Sequence, residues 1–200
     1  MVKKVATCIV YAAMALLIFD IGCTRSRNRE LAQGFTVQFD QIVEQRKALD
    51  KLEEQGKQYN EQLEKALQQP DATRKAKALG VWVGEYKAML SRARSHVDAQ
   101  NTIVDKLVSD SAQFTGDAAK YARETADALR DSVSLEQRGA DVGGQVIELL
   151  ESYIDDPKNT NLGQLEELTK GLEDLDAREK QAFQRAQDAT IRLRAAAGLS

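Results

Sequence analysis

"YKAMLSRARSHVDAQNTIVDKLVSDSAQFTGD", residues 86–117, decides the fold class. Tyr86, Leu90, Ala93, Val97, Gln100, Val104, Leu107, Ser111 and Phe114 follow one another at alternating steps of four and three residues without a slip. In an α-helix that spacing lines one face, so the stretch predicts a long amphipathic helix with a single buried seam. Thr115-Gly116-Asp117 then supplies a stop and a restart, because glycine tolerates left-handed backbone and aspartate is a good N-cap. The pattern resumes through Tyr121, Ala128, Leu135, Val142, Val146, Leu149 and Tyr153, so one continuous helix across Gly116 stands as the alternative to a turn. Gly139, Gly143 and Gly144 mark a second candidate break.

Working outward, Phe35, Ile42, Leu49, Gly56 and Leu63 lie seven residues apart, with Leu52, Tyr59 and Ala66 completing a seam that stops before Pro70. On the other side, "DDPKNTN" (residues 155–161) reads as a loop, and Asn161 with Gln164 reads as a capping pair for the next helix. The last seam is Leu165, Leu168, Leu172, Leu175, Ala182, Ala186, Ala189 and Leu193. Its shift from leucine to alanine predicts closer or thinner packing in the C-terminal half.

Four segments result, over 28–69, 72–115, 117–155 and 162–197. Similar lengths and short connections predict an all-α fold, an elongated antiparallel bundle of four long helices. Three helices with one very long middle helix is the alternative. Composition agrees, with only 2 prolines and 12 glycines in 200 residues, 42% hydrophobic and 30% charged. Acid-first pairs four apart, such as Glu53/Lys57 and Asp176/Lys180, mark solvated faces and contribute about 0.2–0.5 kcal/mol each.

The front of the chain has a different character. Lys3 and Lys4 precede "VATCIVYAAMALLIF" (residues 5–19), a charge-free run that as a helix spans roughly 22 Å against a hydrocarbon core of about 30 Å. That is short for a membrane span and matches the apolar region of a signal peptide. Ile21-Gly22-Cys23 follows, and it resembles the lipobox of bacterial lipoproteins, with Asp20 standing where that family normally has leucine. The resemblance implies a signal peptide over 1–22, lipid attachment (palmitate-type chains) at Cys23, a tether over 23–29 and a bundle domain over 30–200. Two or more acyl chains give stable anchoring at about 0.8 kcal/mol per buried CH₂. Arg25, Arg27 and Arg29 would lie at the headgroups. An uncleaved single-pass anchor and a secreted protein are the other readings. By the sorting habit of that family, Thr24 rather than Asp after the cysteine implies an outer membrane where the cell has two, with the body facing the periplasm or exterior.

The remaining chemistry is sparse. Both cysteines, Cys8 and Cys23, lie in the front, so the body has no disulfide. A formal charge of -3 with interleaved signs argues against a nucleic-acid partner. No nucleotide-binding, hydrolase or metalloprotease motif occurs, His96 is the only histidine, and no residue reads as catalytic, cofactor-binding or metal-ligating. The chain therefore reads as a non-enzyme without a cofactor. The unusual stretch is "LGVWVGEY" (residues 79–86), holding the only tryptophan between two glycines one turn apart. A close helix crossing notched by Gly80 and Gly84 is the preferred explanation. The alternative makes Trp82 and Tyr86 candidate partner-binding residues.

In organisation the chain is similar to the helical cell-wall-binding lipoproteins, as "EQRKALDKLEEQGKQYNEQLEKALQQ" (residues 44–69) illustrates, a likeness of composition that transfers no site. The expected function is a membrane-anchored interaction or scaffold lipoprotein of the bacterial envelope, with a protein or cell-wall partner. The alternative is a ligand-sensing or holdase-like bundle. An apolar interior pocket would favour the second, and an exposed aromatic or charged face without a pocket the first.

Overall fold

The computed structural model describes residues 2–157, 160 and 163–199, with side chains described from Ser26 onward apart from those of residues 60 and 72. It is all-α and has four helices: α1 (Val2–Leu67), α2 (Ala72–Ser111), α3 (Gly116–Asp155) and α4 (Gly163–Ala196). Short connections make each helix antiparallel to the next. α3 packs most extensively on α4, then on α2, and α1 packs on α2; α1 and α4 meet at few places. Lipid attachment at Cys23 and the cap at Asn161 lie outside what is described.

Local chemistry sets the boundaries. Pro70 keeps Gln69 out of helical geometry, and the Asp71 carboxylate then accepts from the amides of Thr73 (2.7 Å) and Arg74 (3.1 Å) to start α2. Between α2 and α3 the chain turns, with Gly116 at φ +59, so the single long middle helix does not form. The N-cap is Thr115 rather than Asp117, and its own hydroxyl makes no capping bond. Asn28 of α1 serves that turn instead. Its Nδ2 donates to the Thr115 carbonyl at 3.1 Å and its Oδ1 accepts from the Thr115 amide at 3.3 Å. Packing therefore begins within the stretch read as a tether, two residues before the expected start of the domain. α3 runs unbroken through Gly139, Gly143 and Gly144. Past the end of α4, Gly198 takes φ +74 and the Leu199 amide reaches the Arg194 carbonyl at 2.8 Å, closing the helix with a left-handed glycine.

The bundle has a near end, where Asn28, Thr115 and Ala197 lie, and a far end with Pro70 and Asp155. Apolar packing divides accordingly. In the near half Phe35, Ile42, Leu107, Leu129, Ala186 and Leu193 from all four helices close one core. Here the α4 alanines 182, 186 and 189 are fully buried, as are Ala118, Ala122 and Ala126 of α3. Small side chains let two helices approach closely, so the leucine-to-alanine shift marks tight packing. The far half is built from Ala66, Leu79, Trp82, Val83, Ile147 and Leu150, and no residue of α4 is buried in it; Leu165 and Leu168 pack only partly against it.

The expected notch at Gly80 and Gly84 is overturned. A Cβ at either position would meet nothing within 4 Å, and both glycines face outward. The close approach is made instead by Gly143 and Gly144. A Cβ on Gly143 would lie 3.3 Å from Leu90 Cδ1, and one on Gly144 would lie 3.0 Å from Arg94 Nη2.

Candidate binding cleft between α1 and α4

Between the two cores all four helices place polar groups at one level. Arg46 enters from α1, Gln100 from α2, Ser132 and Glu136 from α3, and Glu179 from α4. The Arg46 guanidinium donates through Nη1 to Ser132 Oγ (3.1 Å), to Glu136 Oε1 (2.9 Å) and to Glu179 Oε1, and through Nη2 to Glu179 Oε2 (2.9 Å). Ser132 Oγ also donates to Glu179, and Gln100 Nε2 donates to Glu136 Oε2 at 2.6 Å. The guanidinium carbon lies over the Phe183 ring, 3.8 Å from its centroid. Side-chain exposures of 14%, 11% and 9% for Arg46, Glu136 and Glu179 put the charges in a medium where an unmatched one is costly.

They are not matched. One guanidinium is shared between two carboxylates, so with both ionised the layer has a negative charge left over. Burial pushes the Glu136 carboxyl up to about 7, the Glu179 charge adds to that rise, and Arg46 and the bond from Gln100 only partly oppose it. Burial lowers the Arg46 pKa, but the bond to and charge of Glu179, with Glu136 and Asp50, outweigh it and leave it raised. Gln100 is wholly buried, and its Oε1 has no hydrogen-bond partner among the described residues.

A cleft of about 480 Å³ opens against this layer, where α4 stands away from α1. Leu49, Leu52, Leu90, Leu135, Leu172 and Leu175 form its apolar wall. Asp50, Glu53, Glu136, Glu173, Asp176 and Glu179 supply carboxylates, against only Arg46 and Lys180 as cations, and Lys180 is held by Asp176 at 2.7 Å. The volume falls in the range of small-molecule sites, about 300–1,000 Å³. A hollow at the far end, beside Leu67, Lys75 and Leu165, has no buried side chain in its walls and is open surface.

Trp82 is not a surface anchor. It is 2% exposed, and its indole N–H donates to the Tyr59 carbonyl of α1 at 2.7 Å. Its ring stacks on Tyr86 with centroids 4.5 Å apart, and Tyr86, half-buried, reaches the cleft wall. The candidate pair therefore stands together but inside, one member touching the cleft. His96 sits apart from it, with Nδ1 2.7 Å from Gln45 Oε1. No group of three His, Cys, Asp or Glu side chains placed to hold a metal occurs among the described residues.

Reading the sequence missed Arg46, Glu136 and Glu179, because charges on a charged helix look solvated. A signal was present. Arg46 lies four residues after Ile42 and three before Leu49, and the α4 seam skips from Leu175 to Ala182 over Glu179. Gln100, at a seam position of α2, marks the same level. No protein family, curated protein or solved structure matches the chain.

Proposed function

We propose that the protein is a membrane-tethered helical binding protein of a bacterial envelope, which receives a small molecule in the α1–α4 cleft and performs no catalysis. The observation that carries this reading is the cleft itself. A seam with little helix contact is lined by leucines and backed by an imperfectly neutralised buried charge layer, which is a poor arrangement for stability alone. Scaffolding through an exposed aromatic has less support, since Trp82 is interior. The front end supports tethering, through the short apolar run, the Gly22-Cys23 junction and the arginines that follow. Among the described residues from Ser26 onward no helix is long and apolar enough to cross a membrane.

Both halves of the proposal have direct tests. Cys23→Ala should abolish palmitate labelling and release the protein from membranes; unchanged size and retention would refute the lipid tether. Native mass spectrometry of the full-length protein, gently extracted, should show an adduct of constant mass that Leu172→Trp removes by filling the cleft. An unadorned mass for both proteins would refute the binding role.

A further inference from the structure

We infer that the cleft takes a monocationic amphiphile, an amine or quaternary ammonium carried on an apolar body of phenylalkyl size. The inference rests on the binding role above and names its ligand class. Its physical basis is complementarity of two kinds at one place. The leucine wall would take up the apolar body, releasing water from Leu49, Leu172 and Leu175, which the helices themselves leave half-buried. The same lining carries six carboxylates and two cations, both cations already engaged with acids.

The sharing of Arg46 between Glu136 and Glu179 leaves room for one further positive charge, and a cation there would meet low-dielectric surroundings that strengthen the attraction. An anionic ligand would have to displace the carboxylates' hold on Arg46. A divalent metal lacks a three-ligand set among the described residues. An organic monocation is what remains.

The test uses full-length protein in nanodiscs of uncharged phosphatidylcholine, with empty discs as the control for partitioning. The probes are 4-phenylbutylamine, 4-phenylbutanol and 4-phenylbutyrate, which share one apolar body. Trp82 is the only tryptophan and stacks on Tyr86 of the cleft wall, so its fluorescence reports occupancy. The amine should bind at least about tenfold more tightly than the alcohol, and the acid should bind weakest. Glu136→Gln, near-isosteric and uncharged, should shrink the preference for amine over alcohol to below about threefold. Asp50→Asn, at an exposed rim position, should reduce it without touching the buried bonds. The groups that face Glu136 are Arg46 and Asp50 of α1, Gln100 of α2 and Glu179 of α4. With these in place, the amine should bind several-fold more tightly at pH 8 than at pH 6 as the Glu136 carboxyl ionises, and Glu136→Gln should flatten that rise.

Equal binding of amine and alcohol, both blocked by Leu172→Trp, would overturn the cationic class and leave the cleft as a neutral apolar site. Tighter binding of the acid would overturn it as well. Binding of none of the three would overturn the ligand class and the cleft's role together.

Discussion

Arg46 and Glu179 join α1 to α4 through two parallel hydrogen bonds, in a seam where these two helices otherwise meet at few places. The pair acts as a clasp at the boundary between a tight near half and a looser far half. Its removal should therefore be felt as lost charge balance rather than lost packing. Arg46→Met leaves two buried carboxylates without a cation and should cost about 3–5 kcal/mol in urea denaturation at pH 8. Adding Glu136→Gln and Glu179→Gln to it removes the stranded charges and should recover most of the loss. A triple variant as weak as the single one would show that the layer is held by shape instead.

The Glu136 carboxyl gives the stability a direction with pH. Its ordinary value is 4.5 and burial raises it to about 7 in the folded chain, so between these values the folded state holds more protons than the unfolded one. Its contribution is fully present below pH 4.5 and is lost as pH rises through 7. The unfolding free energy should fall from pH 5 to pH 8, by no more than roughly 3 kcal/mol for this group. Glu136→Gln should remove that slope and be the more stable protein at pH 8. A steeper slope in the variant would assign the effect to other groups.

How much of this was legible depends on how many neighbours a helix has. The α2 seam from Leu90 to Phe114 is buried at the positions that the 3-4 spacing names, apart from Ala93, which is half-buried. α3 lies between α2 and α4 and buries a wider face. Its deepest residues include Ala122, Leu129, Val133, Ile147 and Leu150, while the expected Tyr121, Val142, Leu149 and Tyr153 are half-buried at its margin. A single stripe cannot describe a helix packed on two sides. The clasp stayed hidden for a related reason. Glu179 sits beside Lys180 and three residues after Asp176, a local pattern shared with solvated faces, and only the partner helices reveal it as interior.

Asn28 and Thr115 form another tie across the bundle. One amide side chain satisfies both the N–H and the C=O of the residue that starts α3, and it is buried as it does so. Asn28→Ala should leave those backbone groups unmatched and cost about 1–3 kcal/mol. Hydrogen exchange should quicken at residues 115–118 more than in the middle of α3. Asn28→Asp keeps the acceptor for the Thr115 amide and loses the donor to its carbonyl, so it should lie between wild type and alanine. Equal exchange in all three proteins would show that Gly116 holds the turn unaided.

Gly80, Gly84 and Gly143, all inside helices, divide into two kinds, and alanine tells them apart. At Gly80 and Gly84 a Cβ meets open space, the backbone is not in the left-handed region, and both face solvent. Each replacement by alanine should therefore stabilise, by about 0.5–1 kcal/mol, through helix propensity and a less flexible unfolded chain. Even Gly84→Leu should do no harm, because no helix stands where a notch would be needed. Gly143 differs. Its new Cβ would lie 3.3 Å from Leu90 Cδ1 and 3.5 Å from the Tyr86 hydroxyl, so the α2 side chains must yield. Overpacking of this sort costs about 1–3 kcal/mol, which exceeds the propensity gain, and Gly143→Ala should lower the thermal midpoint. It should also change Trp82 fluorescence, since the displaced Tyr86 is stacked on that ring. Stabilisation at Gly143 together with destabilisation at Gly84 would reverse the assignment and return the helix crossing to residues 80–84.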